Sequence, residues 1–183
     1  MLKRLLLGTV LGGLVVYLWG SISWMVLPWH RGTFQVFTNE EVVSTVLQLA
    51  APASGVYLLP KMGASAREQQ HAHELMKQGP VMLAAVRTHG ADPADPMFYV
   101  KGLGLELFGA LLMTWLLLGL PGLSYGARVR TVTVAALIAG VLTRLQDWHW
   151  WGFSMSYTVV AILDLVIGWF LAGLVIAKVA RRE

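Results

Sequence analysis

The sequence contains no cysteine and few charged residues. The missing cysteine excludes disulfides, thiolate metal sites, iron–sulfur clusters and cysteine nucleophiles. Charged residues make up 13% of the 183 residues, against about 25% in a typical soluble domain, while hydrophobic residues make up 56%. This composition indicates a membrane protein.

Several functional motifs are also missing. There is no glycine-rich phosphate loop, nucleophile elbow, Ser-x-x-Lys or His-Glu-x-x-His motif. The apolar runs have no histidine at mid-depth, which argues against a bis-histidine haem. The basic residues flank the apolar runs and do not form one basic face, which argues against a nucleic-acid partner. We therefore predict no cofactor and no metal, and an enzyme is not favoured.

Four apolar runs are each about as long as a membrane hydrocarbon core, which is about 30 Å thick. They are Leu5–Leu27, Met97–Leu120, Thr131–Trp148 and Ser154–Ala177. The first run contains Gly8-x-x-x-Gly12, a spacing that lets a second helix approach closely. A cleaved signal peptide is an alternative for this run, but its length and its tryptophans favour a span.

Residues 28–96 are polar and separate the first two runs. Thr38-Asn-Glu-Glu41 predicts a helix start, and Gly55–Pro60 and Val81–Thr88 have the pattern of short strands. Ser65–Gln78 is interpreted as a helix or an ordered loop. The predicted fold class is therefore mainly α: a four-transmembrane-helix bundle with a small α/β periplasmic subdomain inserted between helices 1 and 2. The predicted domains are 1–27, 28–96 and 97–183.

Lysine and arginine set the predicted orientation. They cluster in three short segments, at residues 1–4, in a predicted loop at residues 121–130 and at residues 178–182, and the tight turn at 147–153 has none. Because short cytoplasmic segments are enriched in basic residues, both termini are predicted to be cytoplasmic and the insert periplasmic.

Ionisable side chains within the runs predict a polar intramembrane site. At about 1.5 Å per residue, Glu106 lies about 10 Å from the outer interface, Arg144 about 9 Å and Asp164 about 16 Å. Glu106 and Arg144 are predicted to pair, directly or through water, since an isolated charge in a bilayer is costly. Tyr17, Thr143 or Arg144 is predicted to donate a hydrogen bond to Asp164. The network either carries chemistry or holds the helices together.

A second predicted site lies at the interface. His30, Asp147 and His149 follow or end apolar runs and could bind a metal or carry a proton. Alternatively, these histidines belong to the aromatic belt at headgroup level. His71 and His73 are a weaker pair, because residues two apart on a helix point about 200° away from each other.

The chain resembles a group of small four-span bacterial inner-membrane proteins that have no assigned activity. The residues that carry the resemblance are Trp29-His30, Phe37–Glu41, Ser54–Pro60, Trp150–Phe153 and Asp164 with Ile167–Gly173. The resemblance implies the bacterial inner membrane and a four-span architecture, and it carries over no catalytic residue.

These observations predict an inner-membrane protein that is non-catalytic. We expect it to bind a partner protein or lipid through its helix bundle and periplasmic cap, with membrane lipid, a protein partner or a second copy as candidates. The alternative is a membrane enzyme or an ion-coupled protein with an outward-facing polar site.

Overall fold

A computed structural model describes residues 1–181 of the chain. In order, its elements are α1 (Leu2–Met25), a 3-10 turn (Arg31–Thr33), α2 (Glu40–Ala50), β1 (Gly55–Leu59), α3 (Ala66–Gln78), β2 (Met82–Val86), α4 (Pro96–Leu118), α5 (Tyr125–Trp151) and α6 (Met155–Val179). Helices α1, α4, α5 and α6 are long and apolar enough to span a membrane. The prediction of a mainly helical protein with four apolar helices and a small sheet is confirmed.

The four long helices alternate in direction. Helix α1 packs against α4 and α6, and α6 packs in turn against α5, whereas α4 and α5 are not principal neighbours. One end of the bundle, where α1 ends and α6 begins, is called the loop end here. The other end, where α1 begins and α5 begins, is called the terminal end.

Small residues on α1 allow the close helix contacts that the sequence predicts. A Cβ atom added to Gly8 would lie 2.6 Å from the Oγ1 atom of Thr114 on α4. One added to Gly12 would lie 2.7 Å from the Cγ1 atom of Ile176 on α6. The Gly8-x-x-x-Gly12 segment is therefore buried against both neighbours of α1, as predicted.

Helix α5 begins earlier than the predicted third span. The hydroxyl of Ser124 accepts a hydrogen bond from the backbone N–H of Ala127 at 3.2 Å, which caps a helix that starts at Tyr125. Serine is a preferred capping residue because its side chain satisfies a free N–H group. Arg128 and Arg130, which the sequence places in a loop, consequently lie in the first two turns of α5. The prediction of a loop over residues 121–130 is wrong from Tyr125 onward.

The chain divides into two compact units. One contains Met1–Phe34 together with the chain from Pro93 onward, and the other is Gln35–Asp92. The second is called the inserted unit below. Residues 28–34, which the sequence analysis assigns to the insert, belong to the bundle.

The inserted unit contains the predicted helices and strands. β1 and β2 pair antiparallel, with Gly55 opposite Val86 and Leu59 opposite Met82. Helix α2 is capped by Asn39, whose side chain accepts a hydrogen bond from the N–H of Val42 at 3.0 Å. The predicted helix start and both predicted strands are confirmed, and the stretch left open as a helix or loop is α3.

Candidate functional site

Asp164 lies in the middle of α6 with its side chain 16% exposed. It is nine residues beyond Met155, about 14 Å along the axis at ~1.5 Å per residue. Helical side chains lean toward the start of their helix, so this carboxylate points toward the loop end. It therefore faces the groups that follow α1.

Trp19 of α1 is one partner of Asp164. Its Nε1 atom donates to Asp164 Oδ1 at 2.7 Å and lies 3.1 Å from the main-chain oxygen of Asp164. Gly168, one turn further along α6, leaves space for the indole ring: a Cβ atom there would lie 2.8 Å from Trp19 Cδ1. This contact joins α1 to α6 inside the bundle.

His30 is the second partner of Asp164. The chain turns back after α1, so that His30 is only 3% exposed and its Nε2 atom lies 3.3 Å from Asp164 Oδ2. Its ring stacks on Trp24, with centroids 4.0 Å apart and planes at 10°. We assign a hydrogen to the Nε2 atom, so that it donates to the carboxylate oxygen that faces it.

Ser23 completes this cluster and is fully buried. Its Oγ atom lies 3.0 Å from His30 Nε2 and accepts a hydrogen bond from Trp29 Nε1 at 3.0 Å. We call Trp19, Ser23, Trp29, His30 and Asp164 the Asp164 cluster. It fixes the segment after α1 to the middle of α6.

The cluster contains serine, histidine and aspartate, the residue types of a hydrolase triad, but not its geometry. In a triad the serine and the aspartate bond to different ring nitrogens, so that the histidine accepts a proton at one while the aspartate orients the other. Here Ser23 and Asp164 both approach Nε2. A nitrogen that donates to Asp164 has no lone pair with which to activate Ser23. The arrangement holds the chain in place and does not generate a nucleophile.

Glu106 and Arg144 form no direct ion pair among residues 1–181. Arg144 NH1 instead lies 3.3 Å from Asp147 Oδ2, one turn along α5, with the two side chains 43% and 31% exposed. The prediction of a direct pair fails because equal depth does not make two helices neighbours, and α4 and α5 are separated by α1 and α6.

Tyr17 and Thr143 are not the partners of Asp164. The ring of Tyr17 lies beside Gly102 on α4, and the hydroxyl of Thr143 donates to the Ala139 oxygen at 2.7 Å. The expectation that Asp164 has partners inside the protein is correct, but they are Trp19 and His30. Both belong to aromatic clusters that the sequence analysis assigns to the membrane interface.

The predicted interfacial residues have separate surroundings. His30 is buried against Asp164, Asp147 pairs with Arg144, and His149 is exposed with its ring edge-on to Trp150 at 4.7 Å. Within the described part of the chain no three histidine, aspartate or glutamate residues are placed to hold a metal ion.

Trp19 and Ser23 are the site residues that sequence reasoning missed. A signal was present, since the buried face of α1 runs from Gly8 through Gly12 and Val16 at a spacing of four. Continuing at helical spacing of three and four reaches Trp19 and Ser23. The helical spacing of the packing face of α1 therefore predicts that Trp19 and Ser23 lie on it.

A second candidate surface lies on α2 of the inserted unit. Val42, Val46 and Leu49 follow one another at helical spacing and are 55%, 55% and 83% exposed. Only Ala51, Pro60 and Ala72 are buried in this unit. Each strand of its two-stranded sheet also has one edge that pairs with no strand among the described residues. The inserted unit thus presents an apolar helix face and two open strand edges.

Comparisons with protein-family models, with curated proteins and with solved structures find no match to this chain.

Proposed function

We propose that this chain is a non-catalytic integral membrane protein that binds a partner protein through its inserted unit. The observation that carries the proposal is the apolar stripe of Val42, Val46 and Leu49. An amphipathic helix normally buries its apolar face, and a unit of this size with three buried residues has a very small core of its own. A partner covering the stripe would supply the missing burial.

The strand edges support the same proposal. An open edge presents a row of unpaired N–H and C=O groups, to which an extended segment of another chain can add. Natural proteins usually protect such edges with charges or proline. The edges of β1 and β2 lie in the same unit as the α2 stripe, so one partner could use both features.

The proposal places the protein in the bacterial inner membrane, with both termini cytoplasmic and the inserted unit periplasmic. The distribution of lysine and arginine supports this orientation. Membrane lipid surrounds the bundle, where apolar side chains such as Leu6 and Leu18 are 55% and 59% exposed in the isolated chain. The partner is either another protein or a second copy of this one.

Site-directed cross-linking tests this function directly, because the chain has no cysteine of its own. We expect Leu49→Cys to cross-link to a partner in membranes with a bifunctional maleimide. Ser44→Cys is the matched control, since it lies on the opposite face of α2. Mass spectrometry of the product separates a second copy from another protein.

A charged substitution supplies the second test. Val46→Glu should abolish the Leu49→Cys cross-link, whereas Ser44→Glu, with the same change of charge, should preserve it. Equal cross-linking at both cysteine positions, or purification of the protein as a strict monomer without lipid or partner, contradicts the proposal.

One observation favours a second candidate, an ion-coupled membrane protein. His30 and Asp164 bring two ionisable groups into contact inside the bundle. Such groups inside membrane spans often form proton pathways. If this candidate is correct, vesicles containing the protein will show a proton flux that Asp164→Asn removes; no difference from empty vesicles would reject it.

A further inference from the structure

Arg128 is a buried residue near the start of α5. It is 4% exposed, and its Nε atom has no hydrogen-bond acceptor among residues 1–181. No described carboxylate lies within ion-pair distance of it. This is unusual, because buried charges in proteins are normally paired and hydrogen-bonded.

A cavity of about 390 Å³ adjoins this side chain. It is lined by Gly122, Leu123, Ser124, Tyr125, Arg128 and Arg181. The cavity holds two guanidinium groups and no described carboxylate, and it lies where the N-terminus of α5 contributes a partial positive charge. The hydroxyl of Ser124 accepts from Ala127, and its hydrogen remains available to donate to a ligand.

All these features select for an anion. A guanidinium stays charged at physiological pH, so burying it without a counter-charge costs free energy that a bound anion recovers. A second arginine in the same cavity adds repulsion that the same anion relieves. We propose that this cavity binds a phosphate group, held by Arg128 and Arg181 at the start of α5.

The planar fork of arginine fits phosphate because it can donate two parallel hydrogen bonds to two phosphate oxygens. Arg128 lies about 5 Å along the axis from Tyr125, at ~1.5 Å per residue, close to where the apolar part of α5 begins. This is the level of lipid headgroups if α5 spans the membrane. A phospholipid headgroup and free inorganic phosphate are the two sources of the same group.

The inference deepens the lipid part of the proposed function and rests on α5 being a membrane span. It does not depend on the inserted unit, which lies elsewhere in the chain. Cross-linking of Leu49→Cys therefore reports on the partner proposal separately, and we expect Arg128→Met to leave it unchanged.

Binding to the full-length protein tests the site. The detergent-solubilised protein is titrated with phosphatidylglycerol, with phosphatidylcholine and, separately, with inorganic phosphate against chloride at equal ionic strength. Native mass spectrometry measures lipid binding, and the shift in thermal unfolding temperature measures stabilisation by phosphate. The variants are Arg128→Met and Arg181→Met, with Arg130→Met as the control, because Arg130 is an exposed arginine of α5 that does not line the cavity.

We expect Arg128→Met to weaken binding roughly tenfold or more, as loss of charged hydrogen bonds implies. Arg181→Met should weaken it less, and Arg130→Met should leave it unchanged. Arg128-dependent binding of a phospholipid identifies a headgroup site, and Arg128-dependent binding of inorganic phosphate alone identifies a soluble phosphate site.

Unchanged binding by Arg128→Met, or equal losses with Arg128→Met and Arg130→Met, overturns the proposal. If Arg128→Met does not fold, binding by Arg181→Met is the test, because the Arg181 side chain is exposed and its replacement should not prevent folding. Wild-type binding by that variant also overturns the proposal.

Discussion

Asp164 and Arg128 are charged residues with little exposure at different levels of the same bundle, and among the described residues only Asp164 has partners for its charged group. Asp164 accepts from Trp19 at 2.7 Å and faces His30 at 3.3 Å, so its carboxylate oxygens are both engaged. Arg128 is more deeply buried, yet its Nε atom has no acceptor among the described residues. The described residues complete the first site and leave the Nε atom of Arg128 without an acceptor.

This difference separates two uses of a buried charge. A group that the chain satisfies fixes the fold, because removing any partner leaves another polar group unpaired. A group that the chain does not satisfy lowers stability until a ligand is bound, and it thereby makes stability depend on that ligand. We infer that the Asp164 cluster is structural and that the Arg128 cavity is a binding site.

Removing the Asp164 carboxylate should have the largest effect. Asp164→Ala leaves Trp19 and His30 without their acceptor, and we expect a loss of about 3 kcal/mol or more in unfolding free energy, measured in detergent. Asp147→Ala is the control, because its pair with Arg144 is substantially exposed and such pairs contribute about 0–1 kcal/mol. Equal losses in the two variants would show that the Asp164 cluster is not a buried network.

Removing the Arg128 charge should change the unfolding free energy in the opposite direction. In the absence of phosphate and anionic lipid, we expect Arg128→Met to be as stable as the wild type or more stable by up to about 2 kcal/mol, since an unpaired buried charge is lost. Thermal unfolding after exhaustive delipidation measures this. A clear loss of stability would mean that Arg128 stabilises the fold, as Asp164 does. The two residues would then not differ in the way argued above.

Two buried threonines also allow a polar group that has a hydrogen-bond partner to be compared with one that has none, here for uncharged side chains. Thr114 and Thr158 are 0% and 1% exposed; the Oγ1 atom of Thr114 has no partner among residues 1–181, whereas Thr158 Oγ1 donates to the Ser154 oxygen at 2.9 Å. We expect Thr114→Val to stabilise the bundle by about 1 kcal/mol and Thr158→Val to leave it unchanged or less stable. Chemical denaturation compares the pair, and the reverse order would contradict the assignment.

The smallest effect concerns Glu68, an exposed residue whose carboxylate accepts hydrogen bonds from the chain, as that of Asp164 does. Hydrogen bonds from the Ser65 backbone, the Ser65 side chain and the Ala64 backbone lower the pKa of Glu68. Because the pKa is lowered, the ionised Glu68 carboxylate stabilises the start of α3 at any pH above the ordinary glutamate pKa. This stabilisation is lost as the pH falls through the lowered pKa. Hydrogen-exchange protection at the start of α3 should fall accordingly, and Glu68→Gln should remove this pH dependence. Identical profiles for the two proteins would be the contrary result.

Local pattern was sufficient for most of the fold. The four apolar runs, the capped start of α2, both strands and the glycine face of α1 follow from residue spacing and turn residues. The predicted third span begins only at Thr131, after Arg128 and Arg130, whereas α5 begins at Tyr125. The capping serine at position 124 was the local signal for the correct start.

The partners of the charged residues were not predictable in the same way. Matching depth suggested Glu106 with Arg144, but depth is a coordinate along one axis only. Which helices are neighbours depends on side-chain packing around the bundle, and that packing places α1 and α6 between α4 and α5. Thus Arg144 pairs locally with Asp147 on its own helix.

The sequence by itself determined that four helices are apolar enough to span a membrane, that a polar unit is inserted after the first, and that Asp164 needs a partner. Those conclusions depend on composition and on periodicities of the local chain. Only the tertiary structure decided that His30 turns back to meet Asp164, that Ser23 shares the same ring nitrogen, and that Arg128 is buried with no acceptor for its Nε atom among the described residues. These are distances and burials between residues far apart in sequence, and they are set by how the helices pack.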